Sequence, residues 1–219
     1  MPQDKPSFGS WAVMAIYRTD EQLEDLGRAF LRGLGLENQI APDAMTVINK
    51  IKRKNDRFNY RRVPDNQMRD AEARWNSELQ EVSMRESVFT GMQHGDAHPR
   101  FVVFHELSHY ALGHEGTRNR GTEKVRDYSA GEIKHEETEA SRLAVILMAP
   151  EHLVPESATA EEISERFRLS LTAAILRKEE IDRIRRRRRG ELRPLPESIK
   201  EFLRDARAQG IAIQTKLDE

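Results

Sequence analysis

Apolar residues near the start of the chain recur at helical spacing. Residues 20–32 place an apolar side chain every three or four positions, which predicts an amphipathic helix with Asp20 as its N-cap. A second amphipathic helix is predicted to begin at Pro42-Asp43. We therefore expect residues 1–56 to form a mainly helical part of the fold.

The pattern then changes from helical spacing to alternation. Residues 57–63 are rich in strand-forming side chains, and Pro64 introduces a turn after them. Residues 81–89 alternate between polar side chains and apolar ones such as Val82 and Met84, which is typical of a half-buried strand. The two segments predict a small β-sheet.

Helical spacing returns near Pro99 and predicts a helix that ends at Gly113 or Gly116. Residues 115–132 are polar and rich in glycine, and a loop of this length is usually functional or disordered. Residues 133–148 predict another helix, which becomes apolar in its second half.

The last third of the chain is polar and helical. Residues 162–168 and 171–184 predict two helices joined by a tight turn, with Ser170 as the cap of the second helix. A final helix is predicted over residues 199–208. The order of helix, turn and helix is typical of a helix-turn-helix segment.

These elements predict an α+β fold in two parts. Residues 1–155 form the first part, with the sheet and the central helices within residues 57–155, and residues 156–219 form a helical C-terminal segment. The first part holds the candidate chemistry described below. We expect the second part to recognise a partner.

Composition narrows the class of protein. The net charge of −1 provides no global field that would attract nucleic acid or a membrane, and 33% charged residues predict good solubility. The chain has no cysteine, which excludes disulfides and thiolate zinc sites and agrees with a reducing cytoplasm. Because the sequence offers no apolar signal segment or membrane span, we expect a cytoplasmic protein.

All seven histidines lie between residues 94 and 152, and two of them belong to the sequence His-Glu-Leu-Ser-His at residues 105–109. On a helix, His105 and His109 share one face and can bind one Zn²⁺, with Glu106 beside the metal as general base. His114 is one position too early for a third histidine ligand, and we interpret it as a histidine at the end of the helix.

A catalytic zinc ion takes three protein ligands and keeps one position open. The helix at 133–148 offers four candidates for the third ligand: His135, Glu136, Glu137 and Glu139. Glu137 continues the buried side of this helix, whereas Glu139 lies about 160° around the helix from it, so the two cannot face the same ion. The hypothesis is that Glu137 is the ligand, while Glu136 and Glu139 are favourable charges near a helix N-terminus.

Two segments, FVVFHELSH at 101–109 and ETEASRLAVILMAP at 137–150, resemble the ImmA/IrrE family of metallo-endopeptidases. The specific similarity covers residues 98–150. Ser141 stands where the family usually has Asn or Asp, and Leu143 stands where it usually has Phe. The resemblance implies a zincin-like peptidase domain.

By this resemblance His105, His109 and Glu137 bind one zinc ion per chain, and Glu106 is the catalytic acid and base. Because both histidines must be neutral to bind a metal, we expect activity to fall below about pH 6. Tyr110 and the histidines at positions 94 and 98 are candidates for stabilising the oxyanion. An extended substrate could pair with the strand at residues 82–89.

The sequence supports two hypotheses of function. The first is a zinc endopeptidase acting on a regulatory protein, because family members that resemble this chain cleave helix-turn-helix repressors. The second is a non-proteolytic regulatory or toxin–antitoxin-type partner protein that binds through the zincin fold and residues 161–184. The intact Glu106 favours the enzyme.

A basic run covers Arg183 and residues 185–189. Such a run can contact nucleic acid through phosphate groups. It can also be the solvated end of a helix with ion pairs such as Glu179 to Arg183, four residues apart. Five adjacent arginines project all around a helix, so we favour the solvated helix and expect no direct nucleic-acid binding through Arg183–Arg189.

Overall fold

The computed structural model describes residues 18–114, 130–191 and 196–208. Within these ranges the chain has the predicted α+β fold. Its helices are α1 (Asp20–Gly33), α2 (Ala44–Lys54), α3 (Glu86–His94), α4 (Ala97–Leu112), α5 (Ala130–Met148), α6 (Ala160–Phe167), α7 (Leu171–Arg188) and α8 (Glu197–Ala208). Its strands are β1 (Asn59–Val63), β2 (Ala73–Asn76) and β3 (Glu81–Arg85).

Two compact units divide the chain, Met1–Ile181 and Asp182–Glu219. The first unit therefore includes α6 and most of α7. The proposed division of roles between residues 1–155 and 156–219 stays a prediction.

The first two helices begin at side-chain caps. Thr19, rather than the predicted Asp20, caps α1: its hydroxyl accepts from the Gln22 N–H at 3.3 Å, and the Gln22 side chain accepts from the Thr19 N–H at 2.9 Å. This reciprocal pair satisfies two N–H groups that a helix start leaves open. Asp43 caps α2 as predicted and accepts from the Thr46 N–H at 2.8 Å.

The sheet has the strand order β1-β3-β2. Val82 on β3 lies opposite Tyr60 in a parallel pair with β1 and opposite Trp75 in an antiparallel pair with β2. Because β3 is paired on both sides, an extended substrate cannot add to it, and the prediction for residues 82–89 is wrong. β2, which is only four residues long and was not predicted, is an edge strand of the described sheet.

The strand predicted over residues 81–89 stops halfway. β3 ends at Arg85, and α3 begins at the next residue. Val88 and Met92 lie four residues apart and are both buried, so they form the inner face of a helix. Alternation across residues 84–88 was misleading because it spans the junction of a strand and a helix.

The core fixes the second half of α5 between α4 and α1. Leu143, Leu147 and Met148 have no exposed surface. A Cβ atom on Gly27 of α1 would lie 2.7 Å from Cγ2 of Ile146, so α1 approaches α5 this closely because position 27 has no side chain. The first half of α5 is more exposed, and this half carries the candidate ligand.

A buried group of charges, the Arg177 cluster, joins α1, α5 and α7. The Arg177 guanidinium is ion-paired with Glu24 on α1 and with Glu180 at 2.8 Å, and its Nε donates to the Ala149 carbonyl at 2.9 Å. Arg142 on α5 also pairs with Glu180, at 2.9 Å. Mutual pairing offsets the cost of burying these charges.

α6 and α7 follow the predicted order of helix, turn and helix. Ser170 accepts from the Ala173 N–H at 3.2 Å, as expected of a cap. Arg100 on α4 is buried and donates to the carbonyls of Phe167 and Arg168 at 3.1 and 2.8 Å, which joins the end of α6 to α4. Whether these helices act as a helix-turn-helix recognition module stays a prediction.

Most of the glycine-rich loop predicted at 115–132 lies outside the described residues, which resume at Ala130 with the start of α5. That helix therefore begins three residues earlier than the predicted 133. A search of the described helices for one with the length and apolar character of a membrane span found none.

Candidate metal centre

The H-E-x-x-H motif lies on α4, as its spacing predicts. Phe104 and Leu107 have no exposed surface and anchor this helix in the core, and Gly113 ends it with a left-handed φ of 71°. His105 and His109 lie one turn apart on another face. Their side chains are only 16% and 8% exposed, so both lie at the border between core and surface.

Donor atoms of three residues converge between α4 and α5. Oε2 of Glu137 lies 3.1 Å from Nε2 of His105, and Oε1 of Glu137 lies 3.7 Å from Nε2 of His109. The two Nε2 atoms are 3.1 Å apart. We call these three residues the triad. The structure brings Glu137 to the two histidines, whereas the buried Glu139 contacts other residues.

The spacing of these atoms fits a tetrahedral metal ion. Zinc lies about 2.0–2.2 Å from nitrogen and oxygen ligands, which separates neighbouring ligands in a tetrahedron by roughly 3.3–3.6 Å. The observed separations of 3.1 to 3.7 Å bracket this range. Among residues 18–114, 130–191 and 196–208, the triad is the group of His, Asp or Glu side chains that could hold a metal ion.

Glu137 has the protonation state that a metal ligand needs. The close contacts with His105 and His109 lower the pKa of the Glu137 carboxyl far below its usual range, so it is a carboxylate at neutral pH. Its side chain is 57% exposed. The triad is therefore open to solvent on the α5 side, where a substrate can approach.

Glu106 contacts a different element. Its Oε2 accepts a hydrogen bond from the backbone N–H of Trp75 on β2 at 2.6 Å. Burial raises the pKa of the Glu106 carboxyl, although the neighbouring His109 and His105 act against this shift. A carboxyl group with a raised pKa takes up a proton more readily, which suits a general base beside a metal site.

Trp75 fastens β2 to α4. The centroid of its indole ring lies 5.9 Å from the Phe58 ring and 5.3 Å from the Tyr110 ring, and its Nε1 donates to the His114 carbonyl at 3.2 Å. Together with the hydrogen bond to Glu106, these contacts place an edge strand beside the motif. Sequence reasoning missed this element, and its one signal was a tryptophan within a charged stretch.

Each histidine of the triad has a partner at its other ring nitrogen. Oγ of Ser141 lies 3.3 Å from Nδ1 of His105. Nδ1 of His114 lies 2.9 Å from Nδ1 of His109. Such partners orient metal-binding imidazoles and determine which ring nitrogen carries the proton. Ser141, which departs from the usual residue of the family, thus still contacts a triad histidine.

The predicted burial along α5 is wrong, because the Glu139 side chain is 4% exposed whereas that of Glu137 is 57% exposed. Glu139 contacts His114, which lies at the end of α4 as predicted. Both are buried, and Nε2 of His114 lies 3.4 Å from Oε2 of Glu139. The same carboxylate oxygen accepts from Nη1 of Arg18 at 2.7 Å. Burial alone would raise the pKa of Glu139, but His114 and the charge of Arg18 lower it overall.

The other candidates have partners elsewhere. Tyr110 packs in the aromatic group around Trp75, and its hydroxyl accepts from Nδ2 of Asn55 at 3.3 Å. His98 pairs with Glu72 at 2.9 Å, and His94 is exposed at the end of α3. A role for any of the three in stabilising an oxyanion stays a prediction.

A family model described as IrrE N-terminal-like domain (Peptidase_M78) matches residues 59–178, which is more than half of the chain. The matched stretch contains the sheet, the triad and Glu106, and it confirms the resemblance found in the sequence. A search of curated proteins found no similar sequence. The match supports a metallopeptidase, and the triad is compatible with a metal ion.

Proposed function

The chain belongs to the IrrE N-terminal-like (Peptidase_M78) family, and we propose that it is a zinc-dependent endopeptidase that cleaves a regulatory protein. The observation that carries this proposal is the convergence of His105, His109 and Glu137 on one point, with Glu106 beside them on a separate hydrogen bond. A structural zinc needs no such neighbouring carboxyl group. Glu106 therefore favours catalysis over a purely structural site.

Zinc is the metal that best matches these ligands. Imidazole nitrogen suits zinc, whereas magnesium and calcium prefer oxygen ligands alone. Two histidines and one glutamate make a three-ligand set that leaves a fourth position for water or substrate, as in zinc peptidases. We expect one zinc ion per chain, on His105, His109 and Glu137.

When bound, zinc supplies the Lewis acidity that makes a water molecule nucleophilic near neutral pH and polarises a peptide carbonyl. Glu106 accepts the proton of the attacking water and passes it to the leaving amine. The N–H of Trp75 binds Oε2 of Glu106, so we assign the exchange of that proton to Oε1. Trp75 thereby orients the base.

We place the substrate along β2. An extended peptide can add to an edge strand through backbone hydrogen bonds, and β2 is an edge strand that contacts the proposed base through Trp75. The resemblance to the ImmA/IrrE enzymes carries the choice of substrate, which we propose is a helix-turn-helix transcriptional repressor.

Substitution of Glu106 by Gln tests the proposal. We expect E106Q to keep about one zinc per chain and to cleave its substrate roughly 10²- to 10⁴-fold more slowly, because only the proton acceptor is lost. The assay incubates zinc-loaded protein with purified helix-turn-helix repressors from the same genome and identifies the two fragments by mass spectrometry.

His105→Ala and His109→Ala are the companion variants, and both should lose zinc as measured by elemental analysis. Full zinc content in both variants would end the metallopeptidase proposal. Cleavage by E106Q at the rate of the unaltered protein would show that another group is the base.

A further inference from the structure

His109 is the first member of a line of polar contacts that leads away from the triad into the protein. Nδ1 of His109 contacts Nδ1 of His114 at 2.9 Å, and Nε2 of His114 lies 3.4 Å from Oε2 of Glu139. That oxygen accepts from Arg18 at 2.7 Å. We call these four residues the relay. The relay is formed by three separate parts of the chain: the residues before α1, the end of α4 and the first half of α5.

We propose, on the basis of the proposed metal site, that His114 and Glu139 are positioning residues for His109. They set the tautomer of His109 so that its Nε2 presents an electron pair to the metal. Neither residue contacts the reacting atoms in this proposal. They act on the metal only through the orientation and the proton of one ligand.

The position of each proton follows from the end of the relay. Glu139 accepts from a guanidinium, so it is an ionised carboxylate that can only accept hydrogen bonds. The proton between Glu139 and His114 is therefore carried by Nε2 of His114. In a neutral imidazole the other nitrogen is then an acceptor.

The same reasoning extends to the ligand. Since Nδ1 of His114 accepts, the proton shared with His109 is carried by Nδ1 of His109. Neutral His109 then has its electron pair on Nε2, the atom that faces His105 at 3.1 Å and Glu137 at 3.7 Å. The contacts thus select the one neutral tautomer of His109 that can bind a metal at the triad.

The contacts set the tautomer of His109 more firmly than that of His105. The partner of His109 lies 3.4 Å from a buried carboxylate, whereas the partner of His105 is the hydroxyl of Ser141 at 3.3 Å. A hydroxyl can donate or accept, so it imposes no tautomer by itself. We therefore assign the main control of metal affinity to the relay.

Zinc affinity of the full-length protein, measured by competition with a chelator, tests the relay. His114→Phe removes both ring nitrogens at similar size, and we expect zinc to bind about 10- to 100-fold more weakly. His114→Gln retains an acceptor and a donor and should recover part of this loss. Glu136→Gln is the matched control on α5 and should change affinity less than twofold, and Ser141→Ala should cost less than His114→Phe.

A double-substitution cycle separates the relay from simple packing. If Glu139 acts only through His114, Glu139→Gln weakens zinc binding in the unaltered protein but adds little in the His114→Phe background. Thermal unfolding of the zinc-free proteins records any loss of stability separately. The relay would be overturned if the effects of His114→Phe and Glu139→Gln on zinc affinity simply added, or if His114→Phe left zinc affinity unchanged.

Ring-nitrogen NMR of the zinc-loaded protein tests the relay without a substitution. We expect a proton on Nδ1 of His109 and a proton on Nε2 of His114. A proton on Nδ1 of His114 would overturn the proposal whether or not the variants fold. Failure of the unaltered protein to bind zinc would instead count against the proposed function, so the two failures can be told apart.

Discussion

Two groups of charged residues meet α5, and they differ in how their charges are satisfied. In the Arg177 cluster, guanidinium and carboxylate groups pair with one another, and the side chains of Arg177 and Glu180 are 0% and 9% exposed. In the triad, two imidazoles and a carboxylate all offer electron pairs, and the carboxylate of Glu137 is 57% exposed.

The difference separates a structural group of charges from a binding site. Buried opposite charges satisfy each other, so the Arg177 cluster has no need of a further ligand. Three electron-pair donors converging within 4 Å do not satisfy each other, and a cation at the centre would stabilise all three. Accessibility to solvent then allows that cation to meet a substrate.

The largest effect should come from removing residues 156–219. This deletion removes Phe167, which has no exposed surface, and the guanidinium of Arg177 that pairs with the buried Glu24. It also removes the carbonyls that Arg100 contacts. We expect the remaining chain to lose its cooperative fold, as measured by circular dichroism during heating.

A shorter deletion from residue 196 onward, which keeps Arg177 and Phe167, is the control and should still unfold cooperatively. A folded, zinc-binding fragment of residues 1–155 would show that the C-terminal helices are separable, as the sequence pattern alone suggests.

Substitution of Arg177 by Ala should have the next largest effect. It leaves Glu24 and Glu180 buried without their common partner, and breaking such a pair costs about 3–5 kcal/mol in the free energy of unfolding. Denaturant unfolding measures this loss. Arg142→Ala is the control: its side chain is 27% exposed, so the loss should be smaller. Equal losses would mean that burial does not distinguish the two arginines.

The same comparison explains what the sequence could predict. The H-E-x-x-H motif is a local pattern, and it was sufficient to place His105, Glu106 and His109 on one helix. The sequence also favoured Glu137 over Glu139, and Glu137 does lie beside the two histidines, but the reason was wrong because Glu139, not Glu137, is buried. The partners of Glu139 could not be predicted in this way, because Arg18 is 121 residues distant in sequence. The strand β2 is too short for its pattern to stand out, and α3 was mistaken for a strand because a short apolar alternation crossed its start.

The third prediction concerns the ligand on α5. Glu137→Ala should weaken zinc binding by more than the roughly 10- to 100-fold expected for outer partners of a ligand, because it removes a ligand itself. Glu136→Ala, one position earlier, should change zinc affinity little, and Glu139→Ala should lie between the two. Metal titration of all three variants provides this ranking. Loss of zinc in Glu139→Ala alone would mean that Glu139, and not Glu137, is the metal ligand.

The smallest effect should come from the basic run at the end of α7. Arg187, Arg188 and Arg189 are exposed, and Arg189 pairs with Glu191 at 2.9 Å. These features favour a solvated helix end with local ion pairs, which contribute little to stability. Replacing residues 185–189 with a mixture of Lys and Gln should therefore change neither cleavage of the proposed substrate nor retention on duplex DNA.

A second variant with five lysines at residues 185–189 keeps the positive charge of the run but not the arginine side chains, and so tests whether that charge binds DNA. If the run binds phosphate groups, the five-lysine variant keeps an affinity for DNA that falls steeply with salt, and the Lys/Gln mixture loses part of it. If the run is only a solvated helix end, both variants and the unaltered protein behave alike at every salt concentration. DNA affinity that falls steeply with salt in the unaltered protein and the five-lysine variant, but not in the Lys/Gln mixture, would show that the C-terminal segment contacts nucleic acid. The proposed peptidase would then be a candidate DNA-associated protease.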